Sequence, residues 1–123
     1  MKNIMIVDDS ATMLMSLRSS LEMSGFHVNA AVDGVQAMER LKGGYKPDLI
    51  ITDINMPNMG GLELIAKVRA LPGMRFLPVL ALTTESQQAK RDEAKRNGAT
   101  GWLVKPISSA DLLSVIKQVL PGV

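Results

Sequence analysis

Short runs of branched apolar residues alternate with longer segments of helical periodicity along the whole chain, and this pattern leaves few folds open. Ile4-Met5-Ile6-Val7, Asp48-Leu49-Ile50-Ile51-Thr52 and Pro78-Val79-Leu80-Ala81-Leu82 are almost continuously apolar. Strands covered on both faces read this way, whereas half-exposed strands alternate. Residues 27–32 and Trp102-Leu103-Val104 supply two further strands. A helix follows each run. Ser10 caps the first, with Leu14, Leu17 and Leu21 on one face, and Gly25 ends it. The second follows Asp33-Gly34, with Val35, Met38 and Leu41 inward and Gly43-Gly44 as the stop. The third follows the turn-rich stretch from Asn55 to Gly60 and turns Leu62, Ile65 and Val68 inward. Residues 86–97 form an unusually polar helix whose apolar residues are Ala89 and Ala94. The last begins near Ser108, where Ser108 and Asp111 resemble a capping box, and buries Leu112, Val115, Ile116 and Val119.

Five strands alternating with helices predict right-handed βαβ units around a parallel sheet, a doubly wound α/β fold. At 123 residues the chain is expected to be one domain, 1–123, with no linker, repeat or low-complexity segment. Most of the nine methionines are expected in the core, as Met38 is.

Composition removes several kinds of chemistry. There is no cysteine, so disulfides and thiolate catalysis are excluded, and the lone His27 cannot make a zinc site. His27 reads as a packing or surface residue at a strand start. The net charge is +2, the bases are scattered and aromatics total 3%, which argues against nucleic-acid binding. The four-residue apolar run at Ile4 is too short for a signal segment or a membrane span, so a cytoplasmic protein without membrane insertion is expected.

The residues that end the apolar runs carry the chemistry. Asp8 and Asp9 close the first, Asp53 the third and Thr83 the fourth, and Lys105 follows the fifth. In an open α/β sheet the carboxyl ends of the strands share one edge, where ligands bind. Any one of these residues could be a helix cap; all four strand ends carrying functional groups point to a site. Carboxylates about 4 Å apart repel by roughly 4 kcal/mol per pair at an effective dielectric near 20. Either a proton or a cation must compensate. Oxygen ligands without His or Cys favour a hard ion, and Mg²⁺ with retained waters and a phosphate-type ligand fits. Two carboxylates can hold the metal while a third attacks phosphorus. The metal, the Thr83 hydroxyl and the Lys105 ammonium would then each take one equatorial phosphoryl oxygen.

Four stretches carry a family resemblance. They are Val7-Asp8-Asp9-Ser10, Asp53-Ile54-Asn55-Met56-Pro57-Asn58-Met59-Gly60-Gly61, Ala81-Leu82-Thr83-Thr84-Glu85 and Gly98-Ala99-Thr100-Gly101-Trp102-Leu103-Val104-Lys105-Pro106. In this order and spacing the chain resembles the receiver domains of two-component response regulators, most of all the stand-alone CheY-like chemotaxis type. The resemblance implies a flavodoxin-like (βα)5 fold with strand order 2-1-3-4-5 and no output domain. It implies Asp53 as phospho-acceptor, with Asp8, Asp9 and the Asn55 backbone carbonyl completing a Mg²⁺ site. Thr83 and Lys105 become the phosphoryl contacts, Lys105-Pro106 a cis bond, and Asn55 and Glu85 the residues that tune hydrolysis of the acyl phosphate. Thr83 and Trp102 become the switch pair. Two departures stand out: Trp102 replaces the usual Tyr or Phe, and Thr84 is bulkier than the small residue often found there.

The partners implied are a histidine kinase of the CheA type, a downstream target such as the flagellar motor switch, and a phosphatase, for a monomeric protein. Lys90, Arg91, Lys95 and Arg96 on the polar helix read equally as a docking patch or as a solvated helix face. A phosphorelay role is the alternative. A haloacid-dehalogenase-type hydrolase would need an acid two residues after its nucleophile, but Asn55 follows Asp53 and Ser10 follows Asp8. A flavodoxin-like FMN carrier would need a neutral phosphate loop where Asp8-Asp9 stands.

Overall fold

A computed structural model describes residues 2–122. Its elements run β1 (Asn3–Val7), α1 (Ala11–Met23), β2 (His27–Ala31), α2 (Gly34–Lys42), β3 (Leu49–Thr52), α3 (Gly61–Ala70), β4 (Val79–Thr83), α4 (Gln88–Asn97), β5 (Gly101–Val104) and α5 (Ser109–Val119). All strand pairs are parallel, and the order is β2-β1-β3-β4-β5, as the resemblance implied. Strand boundaries fall within a residue or so of the sequence reading. Among the described residues no helix is long and apolar enough to cross a membrane.

The continuous apolar runs are explained by two cores, one on each face of the sheet. Met5, Val7, Ile50, Val79 and Ala81 point to one side and pack against Ala37, Met38 and Leu41 of α2, Leu64, Ile65 and Val68 of α3, and Ala94 of α4. Ile4, Ile6, Leu49, Ile51, Leu80 and Leu82 point to the other, against Leu17 and Leu21 of α1 and Leu112 and Ile116 of α5. Successive strand residues face opposite ways, so a sheet with helices on both faces needs apolar groups at every position.

Several helix expectations are corrected. Val35 is 38% exposed, because it lies in the first turn of α2, beyond the strand tips, and Ala37 takes the inward place beside Met38. Leu62 is only half-buried, while Leu64, which the sequence reading left out, is fully covered. The polar helix starts at Gln88 rather than at 86, and Ala89 is exposed, leaving Ala94 as its one buried residue. The methionines are not mostly core: Met5 and Met38 are buried, whereas Met15 and Met23 are 72% and 87% exposed. Met13, Met56, Met59 and Met74 are half-buried against the two cores.

Ser10 accepts a hydrogen bond from the Met13 amide, and Ser108 accepts one from the Asp111 amide, so both caps form as the sequence indicated. Gly98 closes α4 in the left-handed conformation, with φ at +105°.

Candidate functional site

Parallel pairing of β1, β3, β4 and β5 brings their carboxyl ends to one edge. The Asp53 amide donates to Val7 O at 2.8 Å, and the Lys105 amide donates to Thr83 O at 2.8 Å, so the ladder continues one residue past each strand. This sets Asp8, Asp53 and Lys105 side by side although they lie far apart in the chain. Oxygen atoms of Asp8, Asp9 and Asp53 all fall within 4.8 Å of one another. The Lys105 ammonium stands between two of them, 2.7 Å from Asp8 Oδ2 and 3.0 Å from Asp53 Oδ2. Asp8 is buried and Asp9 is exposed, while the Asp53 side chain is 12% exposed and can be reached from solvent.

Each carboxylate is aimed by local backbone. Asp8 Oδ1 accepts from the Ser10 amide at 2.9 Å, and Asp53 Oδ1 accepts from the Ile54 amide at 2.6 Å. One oxygen of each group is thus held by the turn that follows its strand, and the other faces Lys105. Burial works against the Lys105 charge, but the hydrogen bonds it donates to Asp8 and Asp53, with the charges of those carboxylates, outweigh it and raise the ammonium above the ordinary lysine range. The Lys105-Pro106 bond is cis, as the resemblance suggested.

Gly61 lets the chain turn tightly behind Asp53. A Cβ there would collide with the Asp53 carbonyl oxygen and come within 2.9 Å of Ile54 Cα. Because backbone and not a movable side chain stands in the way, Gly61→Ala is expected to cost about 2–3 kcal/mol of stability, measured by urea unfolding. A loss below about 0.5 kcal/mol, the scale of neutral surface substitutions, would show that the turn accommodates a methyl group.

Thr83 is fully buried at the end of β4, and its hydroxyl accepts from the Glu85 amide at 3.1 Å. That bond uses a lone pair and leaves the hydroxyl proton to be donated. Asn55 and Glu85 meet above the site, with Asn55 Nδ2 donating to Glu85 Oε1 at 3.4 Å. Trp102 is not part of this cluster. It pairs in register with Ala81, whereas Thr83 pairs with Val104, so the indole sits two positions down the strands from Thr83. It is half-buried, packs against the α2–α4 core and lines a groove of about 410 Å³ together with Gln88, Arg91, Asp92 and Lys95 of α4.

Two residues at this edge escaped the sequence reading as a pair. Asp33, legible in the sequence only as a helix start, accepts from the Gln36 amide at 2.8 Å and from Asn58 Nδ2 at 2.7 Å. These bonds hold its carboxyl below the usual aspartate range, the Gln36 amide contributing most. An Asp before a helix is legible as a cap; its partner 25 residues away is not.

The donor set suits a hard divalent cation. Three carboxylates against one ammonium leave two negative charges uncompensated, and the ligand atoms these carboxylates offer are all oxygen. Residues 4–117 match the family described as response regulator receiver domain. Chemotaxis protein CheY-3 of Vibrio cholerae is 37% identical over 117 residues, covering 94% of this chain and 89% of the relative. Chemotaxis protein CheY1 of Helicobacter pylori is 36% identical over 118 residues, covering 95% of each. The solved structure of Vibrio cholerae chemotaxis protein CheY4 superposes with a TM-score of 0.92 at 39% identity, covering 98% of this chain and 99% of the other.

Proposed function

The chain belongs to the response regulator receiver family, and on that premise we propose that Asp53 accepts a phosphoryl group from a histidine kinase in a Mg²⁺-dependent reaction. The observation that carries this reading is the convergence of Asp8, Asp9 and Asp53 on one crevice with Lys105 bonded between two of them. An Asp53 carboxylate oxygen forms the new bond to phosphorus. The bond from phosphorus to the donor's imidazole nitrogen breaks, and its electron pair leaves with the nitrogen. Asp8, Asp9, the Asp53 carboxylate and the Asn55 carbonyl would hold Mg²⁺, which when bound neutralises charge on the phosphoryl oxygens. Lys105, bonded to Asp53, supplies a second positive charge, and Thr83 would donate its hydroxyl proton. Asn55 and Glu85 flank the opening, where they control the approach of the water that hydrolyses the acyl phosphate. The protein is a signalling switch whose only catalysis is its own phosphoryl transfer and dephosphorylation.

The output is a change of surface. Shifting a population from 1:99 to 99:1 takes about 5.5 kcal/mol of differential interaction. Hydrogen bonds to charged groups contribute roughly 1.5–3 kcal/mol each, so Thr83 and Lys105 together reach that scale. Movement of Thr83 along β4 is felt by β5, and Trp102 reports it to the groove beside α4. The α4 helix suits a mobile output element, since Ala94 is its one buried residue. Lys90, Arg91, Lys95 and Arg96 give the β4-α4-β5-α5 face a basic character that fits an acidic target segment. In keeping with the chemotaxis relatives, that target belongs to the flagellar motor or other motility machinery, and a phosphatase resets the switch. The working form is a cytoplasmic monomer.

Treatment with acetyl phosphate and Mg²⁺ is expected to add one phosphoryl group per chain, seen by intact mass, and to change the fluorescence of Trp102. The same treatment without Mg²⁺ should do neither. Equal incorporation with and without the metal would remove the basis for this reading.

A further inference from the structure

The loop from Asp53 to Gly60 is held on both flanks, and only one of those attachments belongs to the phosphoryl chemistry described above. On one flank Asn55 bonds to Glu85. On the other, Asp33 caps α2 through Oδ1 and takes Asn58 Nδ2 on Oδ2 at 2.7 Å. The Gly34 amide donates to Met59 O at 3.0 Å. A Cβ on Gly34 would lie 2.7 Å from Met59 Cγ and 2.8 Å from Met59 O, so α2 and the loop touch with no room for a side chain between them. Asn58 is the one non-glycine residue with positive φ, 66°, among those described. Such a conformation costs on the order of 1 kcal/mol or more and persists where surrounding contacts enforce it. Here the enforcing contact is a hydrogen bond to a carboxylate that is 7% exposed.

We propose that the Asp33–Asn58 bond is a positioning latch that sets the β3–α3 loop so that Asn55, three residues before Asn58, is presented to the divalent cation at the acidic cluster. The inference rests on the proposed metal-dependent function. It assigns to the first turn of α2 a part in metal affinity without any contact to the metal.

Two substitutions separate the latch from helix capping and from backbone conformation. Asp33→Ser keeps an oxygen to cap the Gln36 amide but loses the second one, which faces Asn58. Asn58→Gly keeps the left-handed backbone and loses the amide. Mg²⁺ binding to the intact protein is measured by calorimetry, and acetyl phosphate labelling is followed against Mg²⁺ concentration. Each variant is expected to raise the Mg²⁺ dissociation constant roughly tenfold, the scale of one hydrogen bond to a charged group. The labelling rate at saturating Mg²⁺ should stay within about twofold of the original, and the double variant should be no weaker than either single one. Dissociation constants within about twofold of the original protein, losses that multiply in the double variant, or a fallen rate at saturating Mg²⁺ would each overturn the latch. Absence of Mg²⁺ binding by the unsubstituted protein would instead overturn the proposed function, and the latch with it.

Discussion

Asp53→Asn is expected to abolish acceptance of a phosphoryl group from acetyl phosphate, lowering the labelling rate on the order of a thousandfold or more. The amide has nearly the shape of the carboxylate, but its oxygen is a poor nucleophile and it carries no charge to attract the cation. The fold should survive the change. Asp53 is fixed by its backbone amide to Val7 O, and the carboxylate oxygen that accepts from Ile54 has an amide oxygen as its counterpart. Lys105 keeps Asp8 as partner, at 2.7 Å. Stability should therefore stay close to that of the original protein while labelling disappears. Intact mass after donor treatment reads the first quantity and thermal unfolding the second. Labelling of the variant at the original rate would place the acceptor on another residue.

Lys105→Ala is expected to lower stability without metal by about 3 kcal/mol, because it strips the counter-charge from carboxylates that are nearly buried. The side chains concerned are 12% exposed for Lys105, 3% for Asp8 and 12% for Asp53, so solvent screens little of the repulsion. A divalent cation can replace the missing ammonium, which makes the second half of the expectation distinctive. Millimolar Mg²⁺ should recover most of the lost stability and raise the unfolding temperature of the variant more than that of the original protein. The variant should still bind Mg²⁺ and, once labelled, should pass less of the change on to Trp102 and to a target. Urea unfolding with and without Mg²⁺ tests the first part, and Trp102 fluorescence after labelling tests the second. Superimposable metal-free unfolding curves for the two proteins would show that Lys105 is not the counter-ion of this cluster.

Much of the fold and the site is legible in the sequence. Apolar runs such as Ile4 to Val7 and Val79 to Leu82 declare strands buried on both faces, since no half-exposed strand tolerates them. Ser10 and Ser108 mark helix starts because a cap is satisfied within three residues of chain. Asp8, Asp9, Asp53, Thr83 and Lys105 stand out because each closes or follows a run, and parallel strands deliver such residues to one edge. Helix faces were less legible. Val35 keeps the helical period and yet is exposed, because periodicity says which side a residue is on and not whether the sheet reaches that far. The methionines failed for a related reason: their flexible side chains suit both core and surface, so composition could not place Met15 and Met23.

The sequence by itself determined the strand-helix alternation, the caps and the residues assembled at the strand tips, all of which follow from local spacing. Tertiary structure alone decided that Lys105 bridges Asp8 and Asp53, that Asn55 meets Glu85, that Asp33 holds Asn58, and that Trp102 faces the α4 groove instead of the carboxylates. The polar contacts among these join groups 25 to 97 positions apart. Ångström-scale distances of that kind are set by sheet register and helix packing, which no local pattern encodes.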